Sequence, residues 1–437
     1  MRRIPELCVL LAVAALVAVA LIGGLGRSEA PRQPSAQDIA RARAALDEAL
    51  STALAIRSPE PRLRVFPWVM SSLARTNPDK ALEVAQTIEE TRHHDRACVD
   101  VARALAATRP DEALEVARSV EPQYGRAEAL AAVAAALAKT DPTRARALAA
   151  EALEAARSVK RTEGRITALL AVARGLLHTD PEWSRQAVDE AMDAAQSMDH
   201  EYSRSGALRR VLPTLAITDP DRALAAVSTI EKRGKHSDMS QSARAEARQE
   251  IASALADADP DRALTVARTI ARRSLRAPAL VSVARALAKT QPDRSRQVAG
   301  EAMQLMQPSF NERDRANLLA AIANILREAD PALSRKAAYQ ALASARSDRS
   351  ALTLCAVASK LARTYPRQSH RAALQGLRMA RRLDSEKGLC AAAEALARTD
   401  PRRALDVAYS IEDRLWHTRA LHAVAQAILA PQQQEKD

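Results

Sequence analysis

The chain has 437 residues, of which 98 are alanine, ten are aromatic and 11 are glycine. Strands favour β-branched and aromatic residues, and doubly wound α/β folds need Gly-rich turns, so this composition excludes both kinds of sheet architecture. It indicates helix throughout. The formal net charge of +12 is spread along the chain, which favours a solvated basic surface, with an anionic partner as the alternative.

An apolar run of 19 residues, Leu7 to Leu25, follows Arg2 and Arg3 near the N-terminus. Its length is close to that of a membrane span. We therefore predict an uncleaved signal-anchor over residues 1–26, with the following chain on the extracytoplasmic side. The alternative is a cleaved signal peptide, because the small residues Ser28 and Ala30 resemble a cleavage site. The protein would then be secreted or periplasmic. The adjacent Pro31 disfavours cleavage.

A tripeptide resembling Thr-Asp-Pro recurs along the rest of the chain at intervals of 32 to 40 residues. Its prolines are Pro78, Pro110, Pro142, Pro181, Pro220, Pro260, Pro292, Pro331, Pro366 and Pro401. A fixed self-similarity of this period indicates stacked repeats. Counting back from the first proline and forward from the last predicts about eleven units over residues 36–430, after a linker at 27–35 and before a polar tail at 431–437.

The pattern L-x-x-V-A-x-x-L-A begins twelve residues before each proline and has the spacing of one face of an α-helix, named helix A here. Its seventh place holds a small residue in Ala104, Ala136, Gly175, Ala254, Ala286, Ala395 and Ala427. Small residues there predict close contact with the neighbouring unit. The units are expected to form an open superhelix about 100 Å long, with a local kink at Pro213.

Each repeated proline is predicted to open a second helix, helix B, because proline at the first helical position loses no hydrogen bond. The residue before it can cap the free amides. The predicted caps are Asp38, Asn77, Asp141, Asp180, Asp219, Asp259, Asp330 and Asp400. Where that residue is Arg109, Gln291 or Tyr365, we expect the preceding threonine (Thr108, Thr290 or Thr364) to substitute. The 40-residue unit is predicted to contain a polar loop over residues 233–238.

A cation recurs in the first turn of helix B, where it opposes the helix dipole. The residues are Arg41, Lys80, Arg144, Arg222, Arg262, Arg294 and Arg403. We expect them to pair with the capping aspartate or with acids of the next unit. The alternative is a ladder of cations that faces an anionic partner.

No nucleotide-binding, metalloprotease or hydrolase motif is present in the sequence. The His93-His94-Asp95 cluster falls where a helix B is expected to end, and adjacent residues point in different directions, so it does not predict a metal site. His417 and His422 do not predict a metal site either. Cys8 lies in the apolar run, and Cys98, Cys355 and Cys390 are predicted to be small buried hydrophobes without disulfides.

Three tryptophans, Trp68, Trp183 and Trp416, occupy different repeat positions and therefore form no stacking row. Single-stranded nucleic acid is consequently not favoured as a partner.

The paired helices with small residues at their crossings resemble the tetratricopeptide-like and HEAT-like α-solenoid class. The resemblance covers residues 36–430 and implies an all-α, right-handed solenoid. Members of that class mostly bind proteins or peptides, which implies a non-catalytic interaction scaffold here. A basic solenoid that binds an anionic polymer or lipid surface is the alternative. An enzyme would require a closed ring with converging carboxylates. No catalytic, cofactor-binding or metal-binding residue is predicted, and the binding residues are left unassigned.

Overall fold

The computed structural model describes residues 36–56, 69–70, 73–74, 77–86, 91–121, 123–229, 237–306 and 310–433. Within these residues the chain forms 21 helices and no strand. Consecutive helices pack in pairs, which confirms a helical repeat architecture.

Helices of type A and type B alternate along the chain. The helices A are α3 (Thr91–Leu105), α5 (Gln123–Leu137), α7 (Thr162–Leu176), α9 (Glu201–Thr218), α11 (Ser237–Leu255), α13 (Arg273–Leu287), α15 (Glu312–Ile325), α17 (Ala351–Leu361), α19 (Glu386–Leu396) and α21 (Arg414–Gln433). The helices B are α1 (Ala36–Ala55), α2 (Pro78–Gln86), α4 (Pro110–Ser119), α6 (Pro142–Arg157), α8 (Pro181–Gln196), α10 (Pro220–Thr229), α12 (Pro260–Thr269), α14 (Pro292–Leu305), α16 (Pro331–Ser347), α18 (Pro366–Arg382) and α20 (Pro401–Tyr409). Residues 69–70 and 73–74 are helical at the place of a first helix A.

We number the units along the chain. Unit one contains residues 69–74 and α2, unit two contains α3 and α4, and unit ten contains α19 and α20. Within a unit, helix A packs along the helix B that follows it. Each helix A also packs directly on the helices A before and after it, whereas neighbouring helices B make few close backbone approaches. The helices A therefore form the more closely spaced of two layers.

Close approach in the helix A layer depends on small side chains. A Cβ built on Gly175 in α7 would lie 3.1 Å from the Cβ of Ala131 in α5. The aliphatic positions of the pattern fill the core beside these contacts, and Val133, Val172 and Val283 are fully buried. The layer is thus held by many small apolar contacts.

The predicted aspartate caps are confirmed at most units. The carboxylate of Asp141 accepts from the amide of Arg144 at 3.0 Å, and Asp330 accepts from Leu333 at 2.8 Å. Asn77, Asp180, Asp219, Asp259 and Asp400 cap in the same way.

Two parts of the capping prediction are wrong. Asp38 is the third residue of α1, because that helix begins at Ala36. The helices after Arg109, Gln291 and Tyr365 have no side-chain cap. The hydroxyl of Thr108 donates instead to the carbonyl of Leu105 at 3.5 Å, and that of Thr364 donates to Asn324 Oδ1 at 2.6 Å.

Four longer helices B carry a buried serine that the sequence analysis missed. Ser184, Ser295, Ser334 and Ser369 stand three residues after the helix-opening proline and are fully buried. Each hydroxyl donates to a carbonyl of the preceding helix A, at distances of 2.6 to 2.8 Å. This bond fixes the register between the two helices of the unit.

Other local predictions have mixed outcomes. The helix α9 continues across Pro213. Ser237 opens α11, so the predicted polar loop over 233–238 is helical from that residue, and its first residues lie outside the described ranges. The described cysteines, Cys98, Cys355 and Cys390, are free and buried, as predicted. Cys8 is not among the described residues.

The two ends of the array meet. The first helix, α1, packs along the last helix, α21, as each helix B packs along its own helix A. The guanidinium of Arg414 in α21 donates to the carbonyl of Ala55 in α1 at 3.0 Å, and His417 Nε2 lies 3.6 Å from Glu48 Oε1. The chain thus closes into a ring of eleven helix pairs.

Closure corrects two expectations. The array is not an open superhelix. Its last unit also differs from the expected complete unit, because no described helix B follows its helix A in the chain. The helix A of unit eleven continues to Gln433, where the pattern places a proline, and its helix B is α1 from the other end of the chain.

No described contact tests the right-handed winding, which stays a prediction. No described helix is long and apolar enough to cross a membrane, and residues 1–35 lie outside the described part.

Gly376 in α18 tests the close packing inside a unit. A Cβ at this position would overlap the Sγ of Cys355 in α17. We expect Gly376→Ala to destabilise the protein by about 1–3 kcal/mol through overpacking. The matched control is Gly300→Ala in α14, where nothing lies within 4 Å of the added Cβ. That change is expected to stabilise the helix by about 0.5–1 kcal/mol. Chemical denaturation measures both, and equal effects would contradict the packing account.

The α1 helix tests ring closure. Leu46 and Leu50 of α1, and Ile56 just after its end, are at most 7% exposed. Their burial contributes about 5–9 kcal/mol of hydrophobic stabilisation. A chain that starts at residue 57 is expected to melt at a lower temperature and to self-associate through the uncovered face of α21. A synthetic peptide of residues 36–56 should reverse both effects. The control is a chain that starts at residue 36. Unchanged melting without α1 would show that the ring is not closed by this helix.

Candidate functional site

Many cations on the helix B layer pair with an acid. Most of the first-turn cations reach back to an acid on the preceding helix B. These pairs include Lys80–Asp47 (2.5 Å), Arg144–Asp111 (2.5 Å) and Arg262–Asp221 (2.7 Å). Arg109, the residue before the proline, pairs with Asp79 at 2.6 Å in the same way. Arg222–Asp189 and Arg294–Asp261 are also paired. Pairing within the protein is therefore confirmed for five of the seven predicted cations, although the acid belongs to the preceding unit rather than the next one.

A second row of ion pairs joins the C-terminal ends of the helices B. Arg118 pairs with Glu151 at 2.7 Å, and Arg268 pairs with Glu301 at 2.9 Å. Hydrogen bonds to Glu190 raise the pKa of Arg157. These pairs link several neighbouring helices of the outer layer by opposite charges. Other outer cations, such as Arg371, Arg378 and Arg382 of α18, make no ion pair among the described residues. In the described part of the chain, Arg41 and Arg403 make no ion pair.

The helix A layer is the inner wall of the ring, because it is the more closely spaced of the two layers. Eleven helices spaced about 8–10 Å apart, each about 5 Å in radius, leave an opening about 20 Å across. The sixth and tenth places of the helix A pattern point away from the buried stripe and therefore towards this opening.

Many cations on the inner wall have no acidic partner. Arg174 donates to the hydroxyl of Thr214 at 3.3 Å, and Arg210 donates to that of Thr167 at 2.5 Å. Within the ranges that the structure describes, no carboxylate lies within 4 Å of the guanidinium of Arg285, Arg363 or Arg398. The described inner wall therefore carries positive charge that no nearby carboxylate compensates.

The largest group of such cations lines an open cavity of about 1170 Å³ across units seven to ten. Six cations and two acids, Asp293 and Glu328, contribute to it. We call it the basic cavity, and its cations are Arg285, Lys289, Arg327, Lys360, Arg363 and Arg398. It lies on the inner wall, next to the rim that the loops between helix A and helix B form.

Two cations of the basic cavity are held in unfavourable surroundings. Partial burial and then the charge of Arg285 lower the pKa of Lys360. Partial burial and then the charge of Arg363 lower the pKa of Arg398. An anion bound between these groups would relieve the repulsion. Lys360 is positioned by a hydrogen bond from its Nζ to Asn317 Oδ1 at 2.7 Å.

Asn324 bridges units eight and nine beside the cavity. Its amide donates to the carbonyl of Lys360 at 2.8 Å and accepts from the hydroxyl of Thr364 at 2.6 Å. These bonds fix α15 against α17, so the cations of the two units keep a constant spacing.

Several carboxylates of the helix A layer pair with arginines of the same layer. Glu246 and Glu250 both pair with Arg209, at 2.8 and 3.0 Å. Asp100 and Glu128 both pair with Arg103, at 3.3 and 2.5 Å. Each of these acids therefore neutralises a nearby arginine.

Asp95 differs from these acids because it is only 2% exposed and has no hydrogen-bond partner among the described groups. Burial raises its pKa. His94 beside it contacts the carbonyl of Ala85 at 2.8 Å and the Sγ of Cys98 at 3.6 Å. The cluster stands at the start of helix A rather than at the end of a helix B, which corrects the sequence-based placement. No group of three metal-binding side chains occurs among the described residues.

Cysteine and aromatic chemistry contribute little to the described surface. Burial raises the pKa of Cys98 to about 11 and the pKa of Cys355 and Cys390 to about 12, so these thiols stay protonated. Trp416 packs under the cations of Arg419 and Lys387, at 5.5 and 5.9 Å from its ring centre. Trp68 is outside the described ranges.

No protein-family profile and no curated protein sequence matches this chain. Two solved structures resemble it in part. Ton1535 from Thermococcus onnurineus NA1 is 14% identical over 79% of this chain and 94% of its own length, with a TM-score of 0.31. A circular tandem repeat protein with a novel repeat topology and enhanced subunit contact surfaces is 14% identical over 91% of this chain and 100% of its own, with a TM-score of 0.23. TM-scores this low establish no shared fold, and nothing about function follows from them.

Proposed function

We propose that this protein is a non-catalytic interaction scaffold, a closed ring of helical repeats whose inner wall binds a protein or peptide partner that carries negative charge. The observation that carries the proposal is the basic cavity on the inner wall, where six cations lie beside only two acids. Within the described residues, Arg285, Arg363 and Arg398 of this cavity make no ion pair.

The shape of the ring favours some anionic partners over others. An opening about 20 Å across admits an extended peptide or a single helix, which is about 10–12 Å wide. A flat lipid surface cannot follow an inward-curving wall, so the inner cations are poorly placed for a membrane. The described inner wall offers no row of aromatic rings, and sequence-tolerant binding of single-stranded nucleic acid depends on such rows. An acidic polymer that threads the opening remains the second candidate.

A binding role rather than catalysis is supported by the chemistry of the described residues. The inner carboxylates Asp100, Glu128, Glu246 and Glu250 pair with arginine, and the described thiols are buried. We also propose that the array belongs to the tetratricopeptide-like and HEAT-like class and has right-handed winding. Proteins of that class bind partners along the surface of stacked helices, which agrees with a scaffold.

We also propose that residues 1–26 anchor the ring to a membrane, with the array on the extracytoplasmic side and a secreted form as the alternative. The support is the apolar run in the sequence. Membrane fractionation followed by protease treatment tests this: the array should stay with the membrane and be digested only from the extracytoplasmic side. An array found in the cytosolic fraction would contradict the proposal.

Capture of the partner from the native host tests the scaffold. Two variants remove the same charge: Arg285→Gln with Arg398→Gln on the inner wall, and Arg144→Gln with Arg262→Gln on the outer layer. We expect wild type and the outer variant to retain the same protein, and the inner variant to lose most of it. The partner should elute between about 0.1 and 0.5 M salt, because charge interactions are screened over that range.

The opposite results are equally clear. A partner that the inner variant retains and that resists salt would show that binding does not use the inner charge. Recovery of no specific protein by wild type would contradict the scaffold itself.

A further inference from the structure

The basic cavity has features that the rest of the ring does not share. It combines six cations from four consecutive units with only two acids. Lys139, Arg174 and Arg210 elsewhere on the helix A layer come from three different units, and no cavity joins them among those described. The basic cavity therefore brings together the cations of four neighbouring units on one arc of the ring.

The cations of this cavity are spread along the arc instead of converging on one point. Arg285 and Lys289 come from unit seven, Arg327 from unit eight, Lys360 and Arg363 from unit nine, and Arg398 from unit ten. Four neighbouring units extend over about 25–30 Å. A single small anion would contact only one or two of these cations, whereas an elongated anion can contact all of them.

The lining of the cavity limits what else the ligand can contain. Besides the charged groups it is formed by small or aliphatic side chains, such as Ala288, Ala321 and Ile325, and by the polar Asn324, Ser359 and Thr364. No aromatic ring lines it, so there is nothing on which a nucleobase could stack. Arginine predominates among the cations, and its planar fork binds carboxylates through two parallel hydrogen bonds.

We propose that the basic cavity is the docking site for an extended acidic segment of a protein partner, a stretch of about eight residues rich in Asp and Glu. Eight extended residues have a length of about 26 Å, which matches the arc of the cavity. The segment's carboxylates lie against the arginines, and Lys360 contacts its centre. This proposal rests on the scaffold function proposed above and assigns the partner's chemistry and place on the ring.

A labelled ten-residue oligoglutamate is the probe, and its fluorescence anisotropy with the full-length protein at about 50 mM salt is the measurement. The site variant carries Arg285→Gln, Lys360→Gln and Arg398→Gln. The control variant carries Lys139→Gln, Arg174→Gln and Arg210→Gln, which remove the same charge from the helix A layer of other units. Circular dichroism and melting curves establish that both variants are folded.

We expect the site variant to weaken binding at least about tenfold, as the loss of several charge-assisted hydrogen bonds implies, and the control variant to change it less than about twofold. Wild type should not bind an oligoglutamine of the same length, because that peptide carries no charge. Its affinity for oligoglutamate should fall as the pH rises through the lowered pKa of Lys360. Lys360→Arg should bind well and lose that fall, because arginine stays charged.

Four results would overturn the proposal. Equal weakening by both variants would show that the whole inner wall attracts the peptide without a defined site, which leaves the scaffold proposal standing. Inorganic polyphosphate of equal charge that binds tenfold more tightly would show that the site is built for phosphate rather than a peptide. Binding that neither variant affects would place the ligand elsewhere on the ring. If no acidic probe binds wild type at low salt, both the site and the anionic partner are wrong.

Discussion

The close approach of neighbouring helices A is the constraint on which the rest of the structure depends. Where Gly175 meets Ala131, the backbones approach because no larger side chain separates them. The high alanine content therefore has a geometric role: small residues let the helices of the inner layer lie closer together than those of the outer layer. That difference in spacing curves the array, and enough curvature over eleven pairs brings the last helix to the first.

The difference in spacing also decides how the helices of each layer are linked. On the outer layer, long arginine and acid side chains bridge neighbouring helices B whose backbones stay apart, as Arg268 and Glu301 do. Exposed pairs of this kind contribute little stability each. On the inner layer the helices touch directly, and cations such as Arg285 and Arg398 project into the opening without an acidic partner among the described residues.

Local features could be predicted from the sequence because neighbouring residues determine them. The helix periodicity, the proline-opened helices B and caps such as Asp141 all follow from spacing within one turn. The threonine caps failed because Thr108 and Thr364 bond elsewhere, a choice that tertiary contacts decide. A signal for the inner cations was present, since Lys139, Lys289, Arg363 and Arg398 share the tenth place of the pattern opposite the buried stripe. Closure was missed, although the array begins with α1, a helix B with no described helix A before it, and ends with α21, a helix A with no described helix B after it. Their pairing joins residues more than 350 positions apart.

The pairing of α1 with α21 also sets an order of events during synthesis. Of the described helices, α1 leaves the ribosome first and finds its partner last, after all the others have been made. Until then its apolar stripe, which includes Ala49 and Leu50, is exposed to water or packs on another helix in place of α21. The nearest substitute at high local concentration is the finished α21 of a neighbouring chain, and this exchange would link rings into swapped assemblies. The rate of synthesis relative to the encounter between chains therefore decides whether single rings or larger assemblies accumulate.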